Sequence, residues 1–315
     1  MRRPILLSGS LAIDRIMDFP GFFKDCILPD KIHALNVSFL VKTFSENFGG
    51  TAGNIAYNLA LLRAKPVVLG SVGKDFLAYR LWLERHKVVT RYVNVIGNQP
   101  TASAYMITDQ NDNQISSFFP GAGGHSTQTP PRAVLKAASF GCVSPTGIGD
   151  MRNFPKVFKR HNIRYAYDPG QQLTSLNKAD LVLGSRGAEI LFSNDYEFNL
   201  FLKKSGLVEK ELLRQVKIVV TTLGPKGSVI QTANKRVRIP PAKPHNTSDP
   251  TGAGDAFRAG FVHGYVKGLT LEECGRLGSV VSVYTVEKYG TQTHKFTPRE
   301  LESRYRKNYR QRIRV

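Results

Sequence analysis

The chain has 315 residues, 41% of them hydrophobic, enough to bury most of its apolar surface as one large α/β domain or two small ones. No run approaches the roughly 18 unbroken apolar residues a spanning helix needs, which argues against a membrane protein. Lys and Arg number 44 against 24 Asp and Glu, a net charge of +20. That excess fits nucleic-acid contact, steering of anionic substrates or a solvated basic surface, but no helix-turn-helix, zinc-finger or RNP-like aromatic pattern accompanies it.

In chain order, Arg2-Arg3 and Ile5-Leu6-Leu7 briefly imitate a secretory leader. Ser8, Gly9, Ser10 and Asp14 interrupt the pattern, so a first β-strand is expected instead. Residues 15–48 and 91–119 alternate polar and apolar side chains, the second around the turn Gln110-Asn111-Asp112-Asn113. These stretches are expected to pair as a small antiparallel sheet, hinged at Phe48-Gly49-Gly50 and Pro120-Gly121-Ala122-Gly123-Gly124. Asn54 to Leu62 reads as a helix, with Asn54 as its cap. Gly70-Ser71-Val72-Gly73-Lys74-Asp75 lacks the spacer and the Ser or Thr of a P-loop, and no Gly-x-Gly-x-x-Gly follows a strand.

Pro66–Leu69, Arg164–Tyr167, Ile190–Phe192 and Val216–Thr221 read as further strands. Their alternation with helical patterns predicts a central, mainly parallel sheet flanked by helices, the whole 1–315 forming one domain with the lid inserted in it. Asn194 and Glu197 sit one helical turn apart. They read either as a cap completed by a capping box or as a pair reaching a hydrated metal ion. Thr222-Leu223-Gly224-Pro225-Lys226-Gly227 is good hairpin chemistry, and it also stands at the carboxyl end of a strand, where open α/β sheets bind ligands.

In Asp249-Pro250-Thr251-Gly252-Ala253-Gly254-Asp255-Ala256-Phe257-Arg258-Ala259-Gly260 a bare-backbone loop opens onto an amphipathic helix and can cradle a phosphate. Asp255 would repel that anion. It is therefore either a simple cap or the acceptor of a proton from an attacking hydroxyl. Thr297-Pro298-Arg299-Glu300 opens a final helix, with Arg304, Arg306, Lys307, Arg310, Arg312 and Arg314 after it. Cys26, Cys142 and Cys274 have no metal or disulfide spacing and read as buried thiols of a reducing cytoplasm.

The twelve residues from Asp249 resemble the C-terminal signature of the PfkB, or ribokinase-like, family of carbohydrate and nucleoside kinases. The resemblance implies a ribokinase-like fold with a lid over the acceptor. It makes Asp255 the catalytic base and the amides of Gly252, Ala253 and Gly254 the anion hole. Gly49-Gly50-Thr51-Ala52-Gly53-Asn54 resembles the family's N-terminal signature, so Gly49, Gly50 and Asn54, with Asp14 on the vicinal diol, would hold the acceptor.

Thr222, Gly224 and Gly227 resemble its Thr-Leu-Gly-x-x-Gly nucleotide loop, implying ATP, and Asn194 and Glu197 its Asn-x-x-Glu motif, implying Mg²⁺. Asp168-Pro169-Gly170-Gln171-Gln172, the run from Asn113-Gln114-Ile115 to Phe118-Phe119-Pro120-Gly121-Ala122, and Gly290-Thr291-Gln292-Thr293-His294 look like the bacterial adenosine kinase or nucleoside kinase branch. Tyr105, Phe118 and Phe119 would then either stack on a base or fill the lid. The expected reaction is ATP-dependent phosphorylation of a ribonucleoside 5′-hydroxyl, adenosine foremost, by a monomer or homodimer. A sugar kinase and a basic nucleic-acid-binding protein are the rival readings. Arg258 fills the variable position inside the signature and would touch phosphate or a lid carboxylate.

Overall fold

The computed structural model describes residues 3–27, 36–111 and 113–314. Its strands, in chain order, are β1 (Ile5–Ser8), β2 (Ala12–Asp18), β3 (Thr43–Gly49), β4 (Pro66–Leu69), β5 (Ser71–Gly73), β6 (Asn94–Ile96) and β7 (Ala102–Thr108). They continue with β8 (Gln114–Phe119), β9 (Phe140–Val143), β10 (Tyr165–Tyr167), β11 (Ile190–Asn194), β12 (Ile218–Thr222), β13 (Ser228–Gln231) and β14 (Arg236–Ile239). Eight form one sheet in the order β14-β13-β12-β11-β10-β9-β1-β4. It is parallel from β12 to β4 and antiparallel at β13 and β14.

Helices cover both faces, so the parallel strands are buried nearly throughout, whereas the edge strand β14 alternates exposed Arg236 and Arg238 with Val237 and Ile239. Ile5 and Leu7 of β1 face a core that includes Ile55 of the Thr51–Leu61 helix and Phe261 of the Ala253–Val266 helix. Leu6 faces the opposite way, into a core with Phe154 and Phe158 of the Ile148–Arg160 helix. This alternation across the pleat anchors helices on either side, and their ends hold the loops beyond the carboxyl edge of the sheet.

The lid is a second sheet, in the order β3-β2-β7-β8. Its outer pairs are antiparallel, whereas β2 and β7 run parallel at its centre. Two separate excursions from the main domain can meet in that way, since neither needs to turn back on the other. The lid begins at Ala12, and Asp14 lies within β2. β6, inside the second expected lid stretch, pairs with β5 instead. Residues 28–35 and Asp112 of the expected lid lie outside the described residues; around Asp112, Asp109 Oδ1 accepts the amides of Asn111 and Asn113 and closes the turn.

Several expectations change. The helix expected from Asn54 starts at Thr51 because Gly50, at φ +83°, serves as its N-cap in a conformation that suits glycine. Asn54 is thus in the helix and is not its cap. Cys26 is exposed, while Cys142 and Cys274 are buried. The final helix, Pro298–Tyr309, has the expected Thr297 cap and Glu300 capping box. Its Arg304 is buried against Glu287, whose Oε2 lies 2.8 Å from Arg304 Nη1; the other basic residues named above are exposed. Among the described residues no helix is long and apolar enough to cross a membrane.

Candidate active site

The loop ahead of the Ala253–Val266 helix is shaped by its own polar side chain: Asp249 accepts the amides of Thr251 at 2.8 Å and Gly290 at 3.1 Å. Gly252 caps the helix at φ +75°, and a Cβ there would come within 2.9 Å of Thr291 Cγ2. Since Gly252 occupies the cap, Asp255 is not the capping residue. Its Oδ2 instead accepts a hydrogen bond from Asn54 Nδ2 at 2.9 Å. Ala253 gives its amide to Pro250 O at 3.2 Å, so the loop residues that line the adjoining cavity are Thr251, Gly252 and Gly254.

A chain of side chains sets the orientation of Asn54. Gln292 Nε2 donates to Asn54 Oδ1 at 3.1 Å and to Tyr79 Oη at 2.6 Å. Trp82 Nε1 donates to Gln292 Oε1 at 3.1 Å, and Tyr79 Oη donates to Gly49 O at 2.7 Å. With Oδ1 engaged by an amide donor, the Asn54 NH₂ has to face Asp255. Gln292→Leu would strand Asn54 Oδ1 and the Trp82 indole in a buried site. We expect a loss of about 2 to 3 kcal/mol in urea unfolding, and a loss near zero would show that the chain holds nothing in place.

The cavity, of about 370 Å³, lies between the main sheet and the lid. The carboxyl ends of five main-sheet strands reach it: Ser10 follows β1, Pro145 follows β9, Asp168 follows β10, and Asn194 and Thr222 end β11 and β12. Asp14, Gly50, Asn54, Glu197 and Asp255 also line it. Four expected residues stand back from the wall. Ala253 is turned into its loop; Gly49 backs onto Asp14, where a Cβ would meet Asp14 Oδ2 at 2.2 Å. Gly224 and Gly227 shape the turn between β12 and β13, both at positive φ, with Leu223 N donating to Gly227 O at 2.8 Å. That segment therefore has the backbone of a hairpin turn, with Thr222 at the cavity. Of the lid aromatics, Phe118 reaches the cavity, whereas the Tyr105 hydroxyl pairs with Arg15.

Four carboxylates, Asp14, Asp168, Glu197 and Asp255, face this space. Asp14 is raised to about 6 by burial first, then by the negative charges of Asp255 and Asp249. Burial also raises Asp255, against the opposing pull of Arg258 and the Asn54 hydrogen bond. Asp168 is pushed up to about 7, again chiefly by burial. Arg258 does not meet a lid carboxylate: it forms a buried ion pair with Asp168, beyond β10 of the main sheet, with Nη1 4.0 Å from Asp255 Oδ1. Asp168 and Gln292 were visible in the sequence only as parts of longer resembling segments.

Asn194 and Glu197 form a capping box, Asn194 N donating to Glu197 Oε2 at 2.8 Å and Glu197 N to Asn194 Oδ1 at 2.7 Å. The cap and the metal reading are compatible, since both residues also line the cavity. No group of three potential ligands exists among the described residues. This donor set suits an ion held mainly by phosphate and water, as Mg²⁺ commonly is, with one carboxylate nearby.

A family described as pfkB family carbohydrate kinase matches residues 21–298. A nucleoside kinase of Methanocaldococcus jannaschii is 31% identical over 271 residues, 84% of this chain and 87% of that protein. One of Methanothermobacter thermautotrophicus is 31% identical over 308 residues, 93% of this chain and 92% of that protein. The structure of the Burkholderia thailandensis nucleoside kinase in complex with inosine superposes with a TM-score of 0.86 at 31% identity, covering 99% of this chain and 100% of that one. Family match and fold agree, and the chain belongs to the pfkB family of carbohydrate kinases, a phosphotransferase with the ribokinase-like fold.

Proposed function

We propose that this phosphotransferase moves the γ-phosphoryl of ATP to the 5′-hydroxyl of a ribonucleoside, a purine nucleoside such as adenosine or inosine before others. The observation that carries the reading is one cavity in which a carboxylate at a helix start, Asp255, shares space with a second carboxylate, Asp14, and an aromatic ring, Phe118. A free sugar has no face to stack on that ring. The solved relative with ADP-inosine supports the same class of acceptor.

In this reading Asp14 and Asn54 hold the ribose, with Gly50 keeping backbone close to it and Gly49 leaving room for the Asp14 carboxylate. Asp255 orients the 5′-hydroxyl and takes its proton as the oxygen bonds to the γ-phosphorus. The bond from that phosphorus to the bridging oxygen breaks, and its electron pair stays on the β-phosphate of ADP. The amides at the helix start, at Gly252 and Gly254 with Ala253 closing the turn, face the charge spread over the moving group. Thr222, with the Gly224 to Gly227 turn behind it, lies on the nucleotide side. Mg²⁺, when bound, neutralises phosphate charge; Glu197 and Asn194 would hold it through its waters. Residues 1–315 act as one domain in which the lid excludes water.

A sugar kinase is the second reading, favoured by the family's description. A coupled assay with ATP against adenosine, inosine, cytidine, ribose and fructose separates the two. Nucleosides are expected to be preferred by about 100-fold or more in kcat/KM, since an acceptor without a base forgoes the Phe118 contact and its positioning. Preference for a free sugar overturns the acceptor assignment.

A further inference from the structure

The cavity is built against its own cargo. Asp14, Asp168, Glu197 and Asp255 surround a space meant for a polyanion, and Arg258 is the single Lys or Arg among the described residues that line it. The helix explains where that cation goes. Arg258 follows Gly254 by four positions, and long helical side chains lean back over the turn N-terminal to their own Cα. Its Nη1 accordingly lies 2.5 Å from where a Cβ on Gly254 would be. Glycine at 254 is what lets a guanidinium lie over the first turn of the helix. The Arg258 side chain is 14% exposed and that of Asp168 4%. Asp168 pairs with Nε, whereas Nη1 lies toward Gly254 and 4.0 Å from Asp255 Oδ1 at the helix start.

We propose that Arg258 is a built-in cation for the migrating phosphoryl group, clamped by Asp168 so that its Nη nitrogens act beside the Gly254 amide. This rests on the phosphoryl-transfer reading of the same cavity and adds to it a catalytic residue, Arg258, and a positioning residue, Asp168. As the acceptor oxygen bonds to phosphorus and the ADP oxygen departs with its electron pair, negative charge spreads over the equatorial oxygens. A guanidinium fixed in advance meets that charge without reorganising. Its fork suits phosphate oxygens, which an ammonium in the same place would contact only as a point charge.

The test uses the full-length enzyme with ATP, Mg²⁺ and whichever nucleoside the wild type phosphorylates. Arg258→Ala is expected to lower kcat by about 100- to 1,000-fold while the nucleoside KM stays within about threefold. Millimolar ethylguanidinium should restore part of the lost rate. Affinity for ADP, nucleoside and aluminium fluoride together, measured by calorimetry, should fall by a factor similar to kcat, with affinity for ADP alone unchanged. Asp168→Asn should lower kcat about tenfold and not respond to ethylguanidinium, because the guanidinium is present but loosely held. If Arg258→Ala does not fold, Arg258→Gln, closer in volume, takes the same measurements.

An active wild type with an Arg258 variant within threefold of it overturns the inference alone. So does a variant with reduced kcat, full affinity for the fluoride complex and no rescue, which would make Arg258 a packing residue. A wild type that transfers phosphate to no nucleoside or sugar removes the phosphoryl-transfer reading and this inference with it.

Discussion

Asp255→Asn is expected to bind ATP and nucleoside within about threefold of wild type and to turn over about 1,000-fold or more slowly. The substitution preserves shape and keeps an oxygen to accept the Asn54 amide, so the 2.9 Å contact survives while the basic oxygen is lost. Removing a negative charge beside the phosphate path would, on electrostatics alone, favour ATP binding. A large fall in rate with unchanged or tighter binding therefore assigns Asp255 to proton acceptance rather than to shaping the loop. Rapid-quench measurement of a single turnover, beside calorimetric binding, makes the distinction. A turnover within tenfold of wild type would contradict the role.

Asp14→Asn has the second largest expected effect, a fall of about 100- to 1,000-fold in kcat/KM for the nucleoside with little change in the KM for ATP. A carboxylate accepts both hydroxyls of a vicinal diol, whereas an amide must offer a donor to one of them. Nucleosides lacking the 2′- and 3′-hydroxyls should be rejected by wild type to a similar degree and discriminated far less by the variant. The same residue sets a pH dependence. Because Asp14 is raised to about 6, it is protonated below that pH and loses acceptor capacity, so kcat/KM should fall as pH drops through about 6. Asp255 is raised as well and must be ionised to act, so the acidic limb belongs to the pair. Removing the Asp14 charge should move that limb to lower pH. A profile flat down to pH 5, or a variant with wild-type kcat/KM, would rule out Asp14 as the diol group.

The local parts of this molecule were legible in its residues. The apolar runs at Pro66–Leu69 and Ile190–Phe192 could only be buried strands, and Gly252 ahead of Asp255 signalled a glycine turn opening a helix because turn and cap chemistry is written within a few residues. What could not be read is separation in sequence. Asn54 and Asp255 meet across 201 positions, and Gln292, which sets the Asn54 amide, comes from 238 positions away. Asn54 looked like a helix cap because nothing local shows that Gly50 can cap the helix one turn earlier. Likewise, no pattern within β2 or β7 announces that they pair in parallel, since alternation is the same for either direction. The Asn194 and Glu197 pair left two readings open for the opposite reason: a capping box and an outer-sphere metal site draw on the same residues at the same spacing, and the fold accommodates both. Arg258 looked like a stray cation until the fold brought Asp168 to it.

Phosphorus NMR of the product formed from ATP and a mixture of adenosine, inosine and ribose tests the central claim most directly. The account predicts a nucleoside 5′-monophosphate formed with stoichiometric ADP and suppressed in Asp255→Asn. Ribose phosphate as the main product, or a 5′-monophosphate made at an undiminished rate by Asp255→Asn, would contradict it.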